Sequence, residues 1–169
     1  MTKKNNTIKS LTPTELKKQA KVLLDEKREF SVTVGETEYK LTHDVVFRKS
    51  KQSKFLEDVV SFFSEGANHP EILDLATAYS TLLIIKHFTS LEIPDDISEA
   101  LNMLEVLVDL EILNPIVEEL PTDQVTEIYE LLSKTVKNMD ENIQELQREA
   151  EEMSGKVENK ELIDFGKQD

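Results

Sequence analysis

The sequence contains no cysteine, and this absence removes several classes of protein. Disulfide bonds, thiolate metal sites and a cysteine nucleophile are all excluded. Only 4 glycines and 5 prolines occur among the 169 residues, which disfavours a loop-rich sandwich or barrel and favours long helices. The glycines are also too few and too scattered to build a phosphate-binding or dinucleotide-binding loop.

Long apolar stretches are absent as well. The chain has no run of 18 or more apolar residues, so we expect no helix that spans a membrane. The opening Met-Thr-Lys-Lys-Asn-Asn has no apolar stretch behind it, so we expect no secretory signal. A cytoplasmic location is the resulting expectation.

Negative charge is abundant but unevenly distributed, for a net charge of −14. Residues 1–54 contain 13 Lys and Arg against 7 Asp and Glu, a net charge of +6, whereas residues 55–169 contain 7 against 27, a net charge of −20. Such a contrast is typical of a nucleic-acid arm or an electrostatic docking pair, or simply of a solvated surface. The acidic bulk makes nucleic acid an unlikely partner, because DNA is itself densely negative.

The N-terminal third combines a helix with a β-hairpin. Residues 1–10 are polar and aperiodic, and we expect a disordered tail there. Within residues 11–54, Thr12-Pro13-Thr14-Glu15 is typical of a helix start, and we expect this helix to end near Arg28. Apolar and polar residues then alternate on both sides of Gly35, which predicts a hairpin. A basic link, Arg48–Lys54, follows it.

We predict that residues 55–140 form an acidic helical body. We expect a helix that ends at Gly66, a second from about residue 71 to residue 90, and a third from residue 97 to residue 112. The second is apolar around most of its circumference, which predicts a central position in the core. The predicted fold class is therefore mainly α: a helical domain with one N-terminal β-hairpin and a long C-terminal helix.

That long helix is expected to begin at Thr122. Its apolar residues recur at steps of three and four as far as Met153, a spacing typical of a seam that faces a partner helix. We predict that residues 141–169 are a helix extension that ends at Gly155 and a disordered tail. Within that tail, Leu162, Ile163 and Phe165 form a short apolar cluster that suits a docking motif.

Residues that carry catalysis are hard to find. His43 stands beside Asp44, but no serine in a Gly-x-Ser-x-Gly turn accompanies the pair. Glu65 and His69 are four residues apart, but Gly66 and a proline interrupt the helix that would align them as metal ligands. We therefore predict no enzyme, no catalytic residue, no metal and no cofactor.

The order of the predicted elements resembles that of one known group of proteins. The hairpin reads Phe-Ser-Val-Thr-Val-Gly-Glu-Thr-Glu-Tyr-Lys-Leu-Thr, and the segment around the basic link reads Val-Val-Phe-Arg-Lys-Ser-Lys-Gln-Ser-Lys-Phe-Leu-Glu-Asp. With the acidic helical body behind them, over about residues 11–140, these elements resemble the tail assembly chaperones of bacteriophages that infect Gram-positive hosts. The resemblance implies a protein of the host cytoplasm that self-assembles and coats the tape-measure protein before the tail tube polymerises.

Two sets of residues are candidates for such contacts. For a protein client, which the resemblance implies to be the tape-measure protein, we predict an apolar groove on the helices that includes Phe62, Phe63, Leu82, Ile85 and Phe88. For self-association into a homo-oligomer, we predict the apolar face of the hairpin, with Val32, Val34, Tyr39 and Leu41. Two alternatives stay open: a phage regulatory or nucleic-acid-associated protein that uses the basic N-terminal third, and a structural coiled-coil component of a particle.

Overall fold

The computed structural model describes the backbone of residues 8–165 and the side chains of residues 8–153. The predicted fold class, mainly α with one N-terminal hairpin and a long C-terminal helix, is confirmed. The chain divides into two compact units, Met1–Thr126 and Glu127–Asp169. In chain order the elements are α1 (Pro13–Leu24), β1 (Lys27–Val34), β2 (Thr37–Asp44), α2 (Lys49–Asn68), a 3₁₀ helix (Pro70–Leu75), α3 (Ala76–Phe88), α4 (Ile97–Asp109), α5 (Leu113–Glu118) and α6 (Thr122–Phe165).

The hairpin has one apolar and one polar face. Its strands are antiparallel, and Val34 pairs with Thr37, so only Gly35 and Glu36 form the turn. Gly35 has a φ of +61°, which a glycine adopts without strain as the first residue of a two-residue hairpin loop. The cross-strand pairs Phe30–Leu41 and Val32–Tyr39 place four apolar side chains on one face.

The core of the first unit is built around α3. Both faces of this helix are buried, as its apolar circumference predicted. The ring of Phe62 on α2 stacks on that of Tyr79, with 4.3 Å between centroids. The ring of Phe47, between β2 and α2, stacks on that of Phe88, with 3.8 Å between centroids. The remaining buried apolar side chains of this unit come from the hairpin, α2, α4, α5 and the loops, and include Phe30, Phe55, Val59, Leu104, Leu107, Ile112 and Ile116.

Two helix starts follow the sequence signals. The side-chain oxygen of Thr12 accepts a hydrogen bond from the backbone N–H of Glu15 at 3.2 Å, and Asp96 accepts one from Glu99 at 3.0 Å. Each oxygen satisfies a donor that the first turn of a helix leaves free. Helix α1 ends at Leu24 rather than near Arg28, because β1 already begins at Lys27.

Three further boundaries differ from the prediction. The basic link is the first part of α2, since residues 49–54 contain no helix breaker and the buried Gln52 donates a hydrogen bond to the carbonyl of Phe47 at 3.0 Å. Gly66 does not end α2; it lies inside the helix where the side chain of Leu73 packs against its Cα, so a Cβ there would overlap Leu73. Helix α6 continues past Gly155, because a single glycine costs a helix only about 1 kcal/mol.

Some expectations fall on parts of the chain that are not described. Most of the predicted N-terminal tail, residues 1–7, lies outside the described residues, as do residues 166–169. The side chains of the apolar cluster Leu162, Ile163 and Phe165 are also outside them, although their backbone belongs to α6. Among the helices of the described part, none is long and apolar enough to cross a membrane.

Replacing Phe88 with alanine tests whether the core depends on α3. We expect Phe88→Ala to lower the free energy of unfolding by about 3–5 kcal/mol, because it removes a fully buried ring that stacks on Phe47. Leu23→Ala on the exposed α1 is the control, and we expect a change within about 0.5 kcal/mol. Urea denaturation measures both, and equal effects of the two substitutions would contradict this core.

Candidate functional site

The residues predicted to contact a client lie mostly in the interior. Phe62, Leu82, Ile85 and Phe88 are each at most 2% exposed, and Phe63 is half-buried with its ring edge against Phe62. The reason is that α3 is apolar on all sides, so α2, α4 and α5 cover it within the folded chain. The prediction of a client groove is therefore corrected for Phe62, Leu82, Ile85 and Phe88, which are core in this fold.

The residues predicted for self-association meet at one apolar groove. Val32, Val34, Tyr39 and Leu41 form one wall of a groove of about 330 Å³, which we call the hairpin groove. Its other wall comes from the loop after α3 and from the region of α4 and α5. That wall consists of Leu91, Leu107, Ile112 and Ile116. The size and the apolar lining are those of a site that takes up side chains of a ligand or partner.

The two strands of the hairpin are buried to different degrees on its apolar face. At the end away from the turn, Ser90 donates its backbone N–H to the carbonyl of Thr42 at 2.8 Å, and its hydroxyl accepts from the N–H of Thr42 at 2.9 Å. Phe30 and Val32 of β1 are buried, whereas Tyr39 of β2, which pairs with Val32, is 52% exposed, and Val34 and Leu41 are half-buried. The apolar side chains of β2 and the turn-proximal Val34 therefore remain partly open to solvent.

The lining of the groove also includes the charged residue Lys40. Lys40, which lines it, binds the carboxylate of Glu29 on the polar face at 2.8 Å. That hydrogen bond, together with the negative charge of Glu29, raises the pKa of Lys40 above its ordinary value. The rest of the lining is apolar.

A polar cluster joins α2 to α3 elsewhere in the first unit. One carboxylate oxygen of Asp58 lies 2.8 Å from Nζ of Lys86 and 2.9 Å from Nε2 of His87. Asp95 is a second partner of Lys86, at 2.8 Å. Burial lowers the pKa of Lys86, but the hydrogen bonds and charges of the two carboxylates outweigh it and leave this pKa above its ordinary value. The cluster fixes two core helices relative to each other.

The other two histidines have different partners. Nδ1 of His43 lies 2.9 Å from the backbone oxygen of Asp44, while the carboxylate of Asp44 binds Lys51 at 2.5 Å, so this carboxylate is engaged by a lysine. The ring of His69 lies 3.7 Å from Glu65 and 3.3 Å from Glu71. Among the side chains that the structure describes, no group of three or more histidines and carboxylates is arranged to hold a metal ion.

Two cations of the basic link have structural partners that the sequence pattern did not indicate. Arg48 pairs with Asp25 and donates from Nε to the carbonyl of Leu24 at 3.4 Å, which fixes the C-terminal end of α1. Lys51 pairs with Asp44 at the end of β2. These cations therefore hold α1, the hairpin and α2 together, which leaves less positive charge for a nucleic acid.

Comparison with known proteins adds a family. A family model described as YomO matches residues 14–164, which is most of the chain. No curated protein and no solved structure matches it. The match includes both walls of the hairpin groove.

The pH dependence of folding tests the polar cluster. Burial, as the largest influence, lowers the pKa of His87 below its ordinary value, although the charge of Asp58 opposes it. The unfolded chain therefore binds a proton at His87 before the folded chain does, so the stability is fully present above pH about 6.5 and declines as the pH falls below it. We expect His87→Gln to flatten the decline between about pH 6.5 and 5 in urea denaturation series.

His69→Gln is the matched control, because His69 is an exposed histidine at the end of α2. We expect it to leave the slope of stability against pH unchanged. If His87→Gln and the wild-type chain lose stability equally over this range, His87 does not contribute as described.

Proposed function

The chain belongs to the YomO family, and we propose that it is a non-enzymatic assembly protein that binds an amphipathic helix of another polypeptide in the hairpin groove. The single observation that carries the proposal is the groove of about 330 Å³, with eight apolar side chains from two separate walls. An apolar cleft that is partly open to solvent, here at Tyr39, is a default candidate for a binding site.

The shape and the apolar lining of the groove favour a helix as the occupant. The groove lies beneath the face of the hairpin rather than along a strand edge, so a partner enters it with side chains and not by adding a strand. An amphipathic helix presents apolar side chains at steps of three and four along one stripe, which suits a narrow apolar groove.

The most specific form of this proposal is a tail assembly chaperone of a bacteriophage. Its client would be the tape-measure protein, a long helical polypeptide with apolar surface, in the cytoplasm of the host cell. The net charge of −20 over residues 55–169 supports this role, because like charge on the outer surface keeps coated complexes apart.

A charge placed in the groove tests the proposal. We expect Val34→Asp to weaken client binding roughly tenfold or more, because a carboxylate without a partner in an apolar contact costs more than the 1.4 kcal/mol that a factor of ten represents. The measurement is the soluble yield of the tape-measure protein encoded in the same genome when the two proteins are co-expressed.

Thr33→Asp is the matched control, since Thr33 is the neighbouring residue on the exposed polar face of β1. We expect it to retain the client at the wild-type level. Equal client yields with the wild-type chain, Val34→Asp and no chain at all would contradict a chaperone function.

A structural coiled-coil component is the second candidate, and one observation favours it. Ile143, Leu146 and Met153 follow one stripe of α6 in the second unit, and each is more than half exposed. If this stripe pairs with α6 of another copy, Leu146→Asp lowers the sedimentation coefficient at equal protein concentration. Asn138→Asp, at an exposed polar position of the same helix, is the control. Under our first proposal Leu146→Asp leaves client retention unchanged.

A further inference from the structure

Helix α1 carries an apolar stripe that the first unit does not bury. Leu16, Ala20 and Leu23 recur at steps of four and three, so they lie on one side of the helix. No residue of α1 is buried, and Leu16 and Leu23 are 52% and 62% exposed. A helix of 12 residues is marginal in water without a packed face. These three residues, which we call the α1 stripe, therefore form a surface that suits a partner.

Helix α4 carries a second apolar stripe towards its C-terminal end. Met103, Val106 and Leu110, the last of which caps the helix, follow at steps of three and four and also share one side. Met103 is half-buried, whereas Val106 and Leu110 are exposed. We call these three residues the α4 stripe. The side that α4 turns to the core consists of other residues, namely Ala100, Leu104 and Leu107.

The charges beside the two stripes are opposite in sign. Lys17 and Lys21 each follow a residue of the α1 stripe, whereas Glu105 and Asp109 each precede a residue of the α4 stripe. The members of each pair are four residues apart, so each pair forms a row along one edge of its stripe. All four side chains are exposed, and none has an ion pair within the part of the chain that the structure describes.

The positions of the two rows determine the direction in which the helices would pair. When two helices pack in parallel, the residues that follow the seam on one helix face the residues that precede it on the other, as at the flanks of a coiled coil. A parallel pairing therefore brings Lys17 and Lys21 opposite Glu105 and Asp109. The antiparallel pairing would bring the lysines to the edge of α4 that is buried in the core.

The charge distribution favours a second copy of this chain as the partner. Residues 87–133, which include α4, contain 12 Asp and Glu and no Lys or Arg, whereas α1 contains three lysines and one glutamate. Each stripe thus finds its complement on the same kind of molecule, although within one copy both stripes are exposed. An anionic membrane would attract α1 but repel residues 55–169, whose net charge is −20.

We infer that the α1 stripe of one copy packs in parallel on the α4 stripe of a second copy, with the lysine row of α1 against the carboxylate row of α4. The contact joins two different surfaces, and each copy carries one of each, so it recurs from copy to copy. It uses none of the residues that line the hairpin groove and is therefore independent of the proposed function.

Charge reversal tests this contact with exposed residues only. Lys17→Glu/Lys21→Glu and Glu105→Lys/Asp109→Lys each place like charges along the contact, so we expect either variant to raise the Kd of self-association roughly tenfold or more. Sedimentation velocity of the full chain measures the Kd. For the wild-type chain we expect the Kd to rise at least tenfold between about 50 and 500 mM salt, because salt screens the two rows.

The decisive variant carries all four substitutions in one chain. Its α1 row is negative and its α4 row is positive, so we expect self-association to return to within about threefold of the wild-type Kd. A general loss of folding would not be reversed in this way. Lys9→Glu/Lys18→Glu is the matched control, because it changes the net charge as much as Lys17→Glu/Lys21→Glu but lies off the edge of the stripe. We expect it to retain wild-type association.

Several results would overturn the inference. They are a wild-type chain that is monomeric at about 100 µM, a fourfold variant that stays monomeric, and a control that weakens association as much as Lys17→Glu/Lys21→Glu does. Association that persists unchanged in every charge variant would assign it to another surface. A monomeric wild-type chain that sediments with phosphatidylglycerol vesicles would place α1 on a membrane instead. Client retention by Val34→Asp bears only on the proposed function.

Discussion

Helix α3 has buried side chains on every side, and covering it determines where the other elements of the first unit go. All residues from Tyr79 to Ile85 are buried, and so is Phe88 one turn later. Each large apolar side chain contributes about 1.5–3 kcal/mol when it leaves water, so any side of α3 left open is costly. Aromatic rings from α2 and from Phe47 stack on it, and α4 and α5 close the remaining sides. The most apolar faces of these helices are therefore buried against one another.

The hairpin is only partly buried against this core. Its end away from the turn is fixed by Thr42 and Ser90, and Phe30 enters the core there. Val34 near the turn and Tyr39 and Leu41 on β2 are less buried and line the groove.

The sequence predicted the elements well and the use of their surfaces poorly. The caps Thr12 and Asp96, the alternation around Gly35 and the apolar circumference of α3 are local signals, and local signals determine element type. Whether an apolar side chain meets its own core or a partner depends on tertiary packing, so Leu82 and Val34 look alike in the sequence although one is core and the other lines the groove. For the same reason, the sequence did not indicate the second wall of the groove, with Leu107 and Ile116, or the pairing of Arg48 with Asp25. Both bring together segments that are distant in the chain.

The central claim is that a client polypeptide contacts this protein at the hairpin groove and not on its helical body. The most direct measurement is photo-crosslinking in cells that express the chain together with its client, with a benzophenone amino acid at position 39 in one sample and at position 60 in another. Tyr39 lies at the mouth of the groove, and Val60 is an exposed apolar residue of α2. The account predicts cross-linked products from position 39 and none from position 60. Products from position 60 and none from position 39 would contradict it.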